Sequence, residues 1–302
     1  MKLAVTGSSG LIGSALIRSL SAAGHGVVRL VRSPATADKG VIHWDPASFR
    51  LDPAALEGLD AVVHLAGESI ASGRWTARKK ARIRDSRVVG TKFLSESLSR
   101  LARPPRVLAT ASAIGYYGNR GEQVLREDSA PGVDFLAEVC RAWEAAVGPA
   151  VARGIRVVHL RFGVVLSPEG GALAKMLLPF RLGLGGRLGS GRQYMSWVAL
   201  DDAVGGIEHA LAIDTLRGAV NVVAPRPVTN LEFTGTLGRV LSRPTLLSVP
   251  ATAARLALGE MADALLLAST RVEPARLLAS GYRFRHPDLE AALRQMLGKR
   301  RR

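Results

Sequence analysis

TGSSGLIG, residues 6–13, follows a short apolar run, KLAVT (2–6), and opens LIGSALIRSLSAAG (11–24). In the second segment Leu11, Ala15, Ile17 and Leu20 recur at helical spacing before Gly24 stops the pattern. Three glycines therefore stand between a strand and a helix. Gly7 permits a tight turn. Gly10 lets the backbone approach a pyrophosphate with no Cβ in the way, and Gly13 lets the helix pack against the sheet. Free N–H groups at the helix start would face the phosphates, which makes Gly7, Ser9, Gly10, Leu11, Ile12 and Gly13 the expected phosphate-binding set. Glycines alone are a weak signal in a chain that holds 32 of them. The strand–turn–helix context is what raises this set above a plain βα turn.

The next strand, GVVRLVR (26–32), ends on Arg32. A site for NAD wants an acidic residue there, to bind the ribose 2′-hydroxyl. An arginine instead suits a 2′-phosphate by charge and by its planar fork, which points to NADP(H).

Further strands and helices alternate through the first half: DAVVHLAG (60–67), a long polar helix over 75–102, RVLATAS (106–112), a helix over 133–152 and IRVVHLR (155–161). That order argues for an α/β fold, a doubly wound parallel sheet. Residues 1–165 read as the nucleotide-binding domain, with GAVNVV (218–223) returning to the sheet. Residues 166–217, glycine-rich at first, read as substrate loop and helices. Residues 225–302 read as a smaller, mostly helical C-terminal domain closing over the site.

Of 302 residues, 47% are hydrophobic, which excludes a disordered polar chain. The formal charge is +16, from 41 Lys and Arg against 25 Asp and Glu. The charge is spread, with concentrations at 74–87 and at the tail 299–302, which is expected to be frayed. Aromatic residues are only 5%, too few for the stacking platforms of single-strand nucleic-acid binders. A small anionic substrate fits this charge better than nucleic acid. Cys140 is the only cysteine, so no intrachain disulfide and no cysteine-based metal site can form. No stretch reads as a signal-peptide core or membrane span, and a cytoplasmic location is expected. A homo-oligomer is compatible with all of this.

TGSSGLIG, HLAG (64–67) and SAIGYYG (112–118) together resemble the extended short-chain dehydrogenase/reductase superfamily. The match narrows with GESIASGRWTARKKARIRDSRVVGT (67–91), LRFGVVLS (160–167), LLPFRLGLGGRLGSGRQYMSWVALDD (177–202) and GEMADALLLASTRVEPARLLASGYRF (259–284). These look like the "epimerase family protein" group, similar to nucleoside-diphosphate-sugar epimerases and carrying a distinctive C-terminal domain. The resemblance implies a Rossmann-like domain that binds NADP, with Leu65, Ala66 and Gly67 lining the cofactor. It also implies that Ser86-Arg87 lies near the cofactor, with Arg87 a candidate phosphate contact. Arg161 would end a strand aimed at the nicotinamide. Most of the basic residues of 74–87 read as a solvated helix face.

Hydride enzymes of the superfamily pair a Tyr with a Lys four residues later, the Lys lowering the Tyr pKa. A Glu commonly follows four residues on, and Glu144 fits that place. Counting back puts Cys140 at the Lys and Leu136 at the Tyr. Leu136 transfers no proton, and Cys140 reads as a packed residue. Ser112 and Tyr117 remain as candidate catalytic groups. Ser112 would bond a substrate oxygen and Tyr117 would serve as acid or base, although a turn and simple packing explain them as well. Two functions follow. One is an NADP(H)-dependent epimerase or oxidoreductase acting on a small molecule such as a nucleotide sugar. The other is an inactive NADP(H)-binding sensor or regulator, for example one linked to cell division. Asp201 and Asp202 read as helix-capping acids.

Overall fold

The computed structural model describes residues 1–32 and 40–299. The end of the basic tail, residues 300–302, lies outside the described residues. Strands β1 (Lys2–Thr6), β2 (Gly26–Val31), β3 (Val41–Asp45), β4 (Arg50–Leu51), β5 (Ala61–His64), β6 (Val107–Ala113), β7 (Val124–Leu125), β8 (Arg156–Phe162) and β9 (Val164–Ser167) precede the glycine-rich segment. After it come β10 (Gly186–Leu188), β11 (Tyr194–Met195), β12 (Trp197–Ala199), β13 (Gly218–Val222), β14 (Val228–Thr229), β15 (Leu247–Val249) and β16 (Arg271–Val272). Among the described residues the main sheet has eight strands in the order β13-β8-β6-β5-β1-β2-β3-β4. All of its pairings are parallel except β3 with β4. The chain winds outward from β1 to β4, then returns to β5 on the other side of β1. A switch point therefore opens between β1 and β5, where open α/β sheets hold their ligands.

Helices α1 (Leu11–Ala22), α2 (Ala77–Ser99), α3 (Phe135–Ala145), α4 (Gly148–Ala152), α5 (Gly171–Arg181), α6 (Leu200–Ala212) and α7 (Asn230–Leu241) follow in chain order. The period of two in each strand divides the core. Leu3, Val5, Ala61, Val63 and Ala109 meet Leu16 of α1 and Ile207 of α6 on one face. Ala4, Val62 and Leu108 meet Leu94 and Leu98 of α2 on the other. The expected single helix over 133–152 is two, α3 and α4, separated at Ala146–Val147 with Pro149 in the first turn of the second. A proline there removes a backbone donor and cannot continue a helix interior.

Helix α6 lies in the stretch expected to be substrate loop and helices, yet its buried face completes the sheet core. Asp202, one of the expected capping acids, caps nothing. It is 1% exposed, and its carboxylate accepts hydrogen bonds from the backbone N–H groups of Arg285 and His286 and from the Tyr282 hydroxyl. A separate core joins Leu173 and Leu177 of α5, Trp197, Phe233 and Leu237 of α7, and Leu289 and Leu293 near the C-terminus. Among the described residues no helix is long and apolar enough to cross a membrane.

Candidate functional site

At the head of α1 the backbone does what the glycines permit. Gly7 has φ of 66°, and a Cβ there would lie 2.8 Å from the Leu65 carbonyl carbon. A Cβ on Gly13 would lie 2.2 Å from the Gly7 oxygen, so the helix sits at its closest approach to the turn. A Cβ on Gly10 would meet only the Gly7 oxygen, at 3.3 Å. No side chain caps α1, so the N–H groups of its first turn remain free for an anion. A cleft of about 320 Å³ begins here. Gly7 and Gly10–Gly13 form one side, Leu65 and Ala111 the floor, and Val164, Val165, Gly171 and Ala172 the far wall. Of these, Ala111 and the far wall escaped the sequence reading, because small apolar residues carry no chemical signature.

Leu65 and Ala66 are fixed from beneath by a buried polar chain. Their N–H groups donate to Thr6 Oγ1 at 3.1 and 3.2 Å. With both bonds accepted, the Thr6 proton points to His64 Nδ1, 2.7 Å away. His64 Nε2–H then donates to Thr91 Oγ1 at 2.9 Å, which also accepts the Trp143 indole N–H at 2.8 Å. Burial keeps His64 neutral, its pKa lowered to about 4.

Arg32 is exposed at the end of β2, and its charge reaches the Glu68 carboxylate across the switch point. Ser86 and Arg87 of α2 grip Glu68 through its backbone: the Glu68 N–H donates to Ser86 Oγ at 3.0 Å, and Arg87 Nη1 donates to the Glu68 carbonyl at 3.0 Å. The basic segment is only partly a solvated face. Lys79 is buried, with Nζ 2.6 Å from Glu68 Oε1 and 2.8 Å from Ser72 Oγ. Its bond holds the Glu68 carboxyl below the usual range. Lys80 pairs with Glu260, and Arg74 donates to the Leu256 carbonyl, so both tie α2 and the loop before it to the C-terminal region. Arg78, Arg82 and Arg84 are exposed as expected.

The candidate catalytic groups are elsewhere. Ser112 donates to Glu144 Oε1 at 2.7 Å. Arg161 takes both Glu144 oxygens at 2.8 Å and gives Nη1 to the Tyr117 hydroxyl and the Glu127 carbonyl. Its guanidinium also lies 3.5 Å from the centre of the Tyr116 ring. Burial alone would lower the Arg161 pKa; the Glu144 bonds raise it above the ordinary value. Tyr117 is fully buried and donates to Asn221 Oδ1 at 2.7 Å; burial pushes its hydroxyl up to about 12. None of the three lines the cleft. Ser112, Tyr117 and Arg161 are joined instead in a buried polar network between β6, β8, β13 and α3. Strand alternation is the reason: Ala111 faces the cleft, so Ser112 faces α3. The Glu144 that matched the superfamily is accounted for by this ion pair.

On α3 the Leu136 Cβ lies 3.3 Å from where a Cβ on Gly115 would stand. Cys140 is buried, and burial raises its thiol to about 12. Burial thus keeps the Cys140 thiol in its protonated form at neutral pH.

The sequence of the NAD dependent epimerase/dehydratase family matches residues 3–222. The chain belongs to that family. A domain of unknown function, DUF1731, matches residues 249–296 of this family member. An epimerase family protein of Mycobacterium bovis is 48% identical over 292 residues, which is 96% of each chain. The human epimerase family protein SDR39U1 is 37% identical, over 98% of this chain and 100% of the human one. The crystal structure of human SDR39U1 (isoform 2) with NADPH has a TM-score of 0.90 at 36% identity and covers 99% of both chains. A nucleoside-diphosphate sugar epimerase from Corynebacterium glutamicum has a TM-score of 0.82 at 38% identity, over 99% of this chain and 58% of the other. The family member is thus an extended short-chain dehydrogenase/reductase with the α/β fold expected from its glycine turn.

Proposed function

We propose that this protein binds NADPH across the switch point and holds it without the tyrosine–lysine proton relay of its superfamily. The face of α3 carries the reading: Leu136 and a Cys140 thiol raised to about 12 stand where the relay belongs. The residues present fit the dinucleotide. The uncapped first turn of α1 offers N–H groups to a pyrophosphate. Arg32 offers a charged fork to a 2′-phosphate, and the apolar wall of Val164 and Val165 suits a nicotinamide ring. The human relative solved with NADPH supports the same choice. When bound, the cofactor would supply a hydride donor. The chain's own residues would hold and orient it in the cleft.

A second reading is conversion of a nucleotide sugar, which the Corynebacterium neighbour favours. Calorimetric titration with NADPH and NADH, followed by a screen for nicotinamide-linked turnover of nucleotide sugars, separates the two. Binding of NADPH with no turnover is expected. Turnover lost on Ser112→Ala or Tyr117→Phe, in variants that still bind NADPH, overturns the holding role.

A further inference from the structure

Helix α3 lacks the expected lysine, yet a cation lies beside the gap. Arg87 and Cys140 are close enough for each to bear on the other's charge. The Arg87 guanidinium is 5.1 Å from the centre of the Trp143 ring. Its Nη1 is held by the carbonyls of Glu68 and Ile83 at 3.0 and 3.1 Å. Among the described residues, Nε and Nη2 have no hydrogen-bond partner. The guanidinium lies against Gly67, where a Cβ would come within 3.3 Å of its central carbon and 3.4 Å of Nη2. Gly67 ends the turn whose Leu65 lines the cleft. The neighbouring carboxylates are already paired: Glu68 with Lys79 at 2.6 Å and Glu144 with Arg161 at 2.8 Å.

A dinucleotide lying across this switch point puts its adenosine toward β2 and Arg32. Its nicotinamide half then lies toward β5 and β6. Arg87 and Cys140 stand on the helices that follow those two strands. The geometry points to Arg87 as the cation that replaces the missing lysine at the nicotinamide half, where it selects the reduced dinucleotide over the oxidised one. This rests on the NADPH reading above. The oxidised ring carries a positive charge and the reduced ring none. A guanidinium held in a half-dry site repels only the former. With no relay on α3, such a site retains NADPH rather than consuming it.

The test is calorimetric titration with NADPH, NADP⁺ and adenosine 2′,5′-bisphosphate, on the wild type, Arg87→Gln and Arg87→Lys. The wild type is expected to bind NADPH at least ~10-fold tighter than NADP⁺, the ratio to fall below ~3 in Arg87→Gln, and Arg87→Lys to keep most of it. The bisphosphate lacks nicotinamide, so its binding reports whether each variant is folded with its adenosine half intact. Equal binding of NADPH and NADP⁺ by the wild type overturns the inference while leaving the cofactor reading standing. So does an unchanged ratio in an Arg87→Gln protein that still binds the bisphosphate. If the wild type binds none of the three, the cofactor reading fails and this inference falls with it.

Discussion

Arg32 and His64 act on the same turn from opposite sides, one through charge and one through neutrality. Arg32 is exposed, so its substitution should leave the fold intact and report on the ligand alone. Arg32→Asp is expected to raise the Kd for NADPH by ~100-fold and that for NADH by less than ~3-fold, because only NADPH has the phosphate that a carboxylate repels. Equal losses in parallel titrations would remove the 2′-phosphate role. His64 is fully buried between two threonines, and its pKa is lowered from 6.5 to about 4. The unfolded chain therefore binds the proton first. The stability that follows from a neutral His64 is complete above pH 6.5 and lost as pH falls toward 4. Its full size is ~3 kcal/mol. Urea titrations at pH 7.5 and 4.5 should show this loss, and the imidazole signal should titrate near 4. An imidazole that titrates near 6.5 in the folded protein contradicts the buried hydrogen-bond chain. None of this was legible in the sequence, since a histidine inside VVHLAG carries no mark of what its two nitrogens meet. Arg32 was legible, because its place at the end of the second strand is set by chain order alone.

At the scale of elements, the head of α1 separates fold from ligand. Gly10 and Gly13 are three residues apart, but their missing Cβ atoms matter for different reasons. Gly13→Ala drives a methyl to 2.2 Å from the Gly7 oxygen. The helix must shift, so a loss of ~1–3 kcal/mol and of NADPH binding together is expected. Gly10→Ala meets the protein only at 3.3 Å. It should keep nearly the wild-type melting temperature while weakening NADPH by ~10-fold, since its methyl lies where the pyrophosphate approaches. Melting curves with and without NADPH distinguish the two variants; a Gly10→Ala protein that binds normally would take that residue out of the phosphate site. Strands β1, β2, β5, β6 and β8 were readable because they are apolar runs closed by turn residues. β3 was not: Val41, Ile42 and Trp44 alternate poorly with His43 and Asp45, and the strand lies near the sheet edge, mostly half-buried. Ser112 shows the limit at the site. The motif located the end of β6, but which of Ala111 and Ser112 faces the cleft depends on the strand's rotation, and one residue of slip reverses it.

Across the whole molecule, the cofactor fold and the C-terminal segment are joined by buried acids rather than by an apolar seam alone. Glu127 Oε1 accepts the N–H groups of Asn221 on β13 and of Arg276. Ser196 accepts the Val272 N–H and donates to the Thr270 carbonyl. Asp202 does most, because Tyr282, Arg285 and His286 all donate to it from a stretch some 80 positions later in the chain. Sequence reasoning assigned Asp202 to helix capping, since local rules see only neighbours in the chain. The long-range partners are backbone N–H groups, which no residue pattern reveals. Asp202→Ala takes the carboxylate acceptor from the Arg285 and His286 N–H groups, at a cost of ~3 kcal/mol. Asp202→Asn keeps one oxygen and should lose less. The lost contacts all lie on one segment, so they should loosen it before the sheet opens. In Asp202→Ala, limited proteolysis is expected to cut first within residues 249–296, while NADPH still protects the remainder. Simultaneous loss of both parts would mean that the C-terminal segment is not a separable cap but a required element of the sheet's own folding unit.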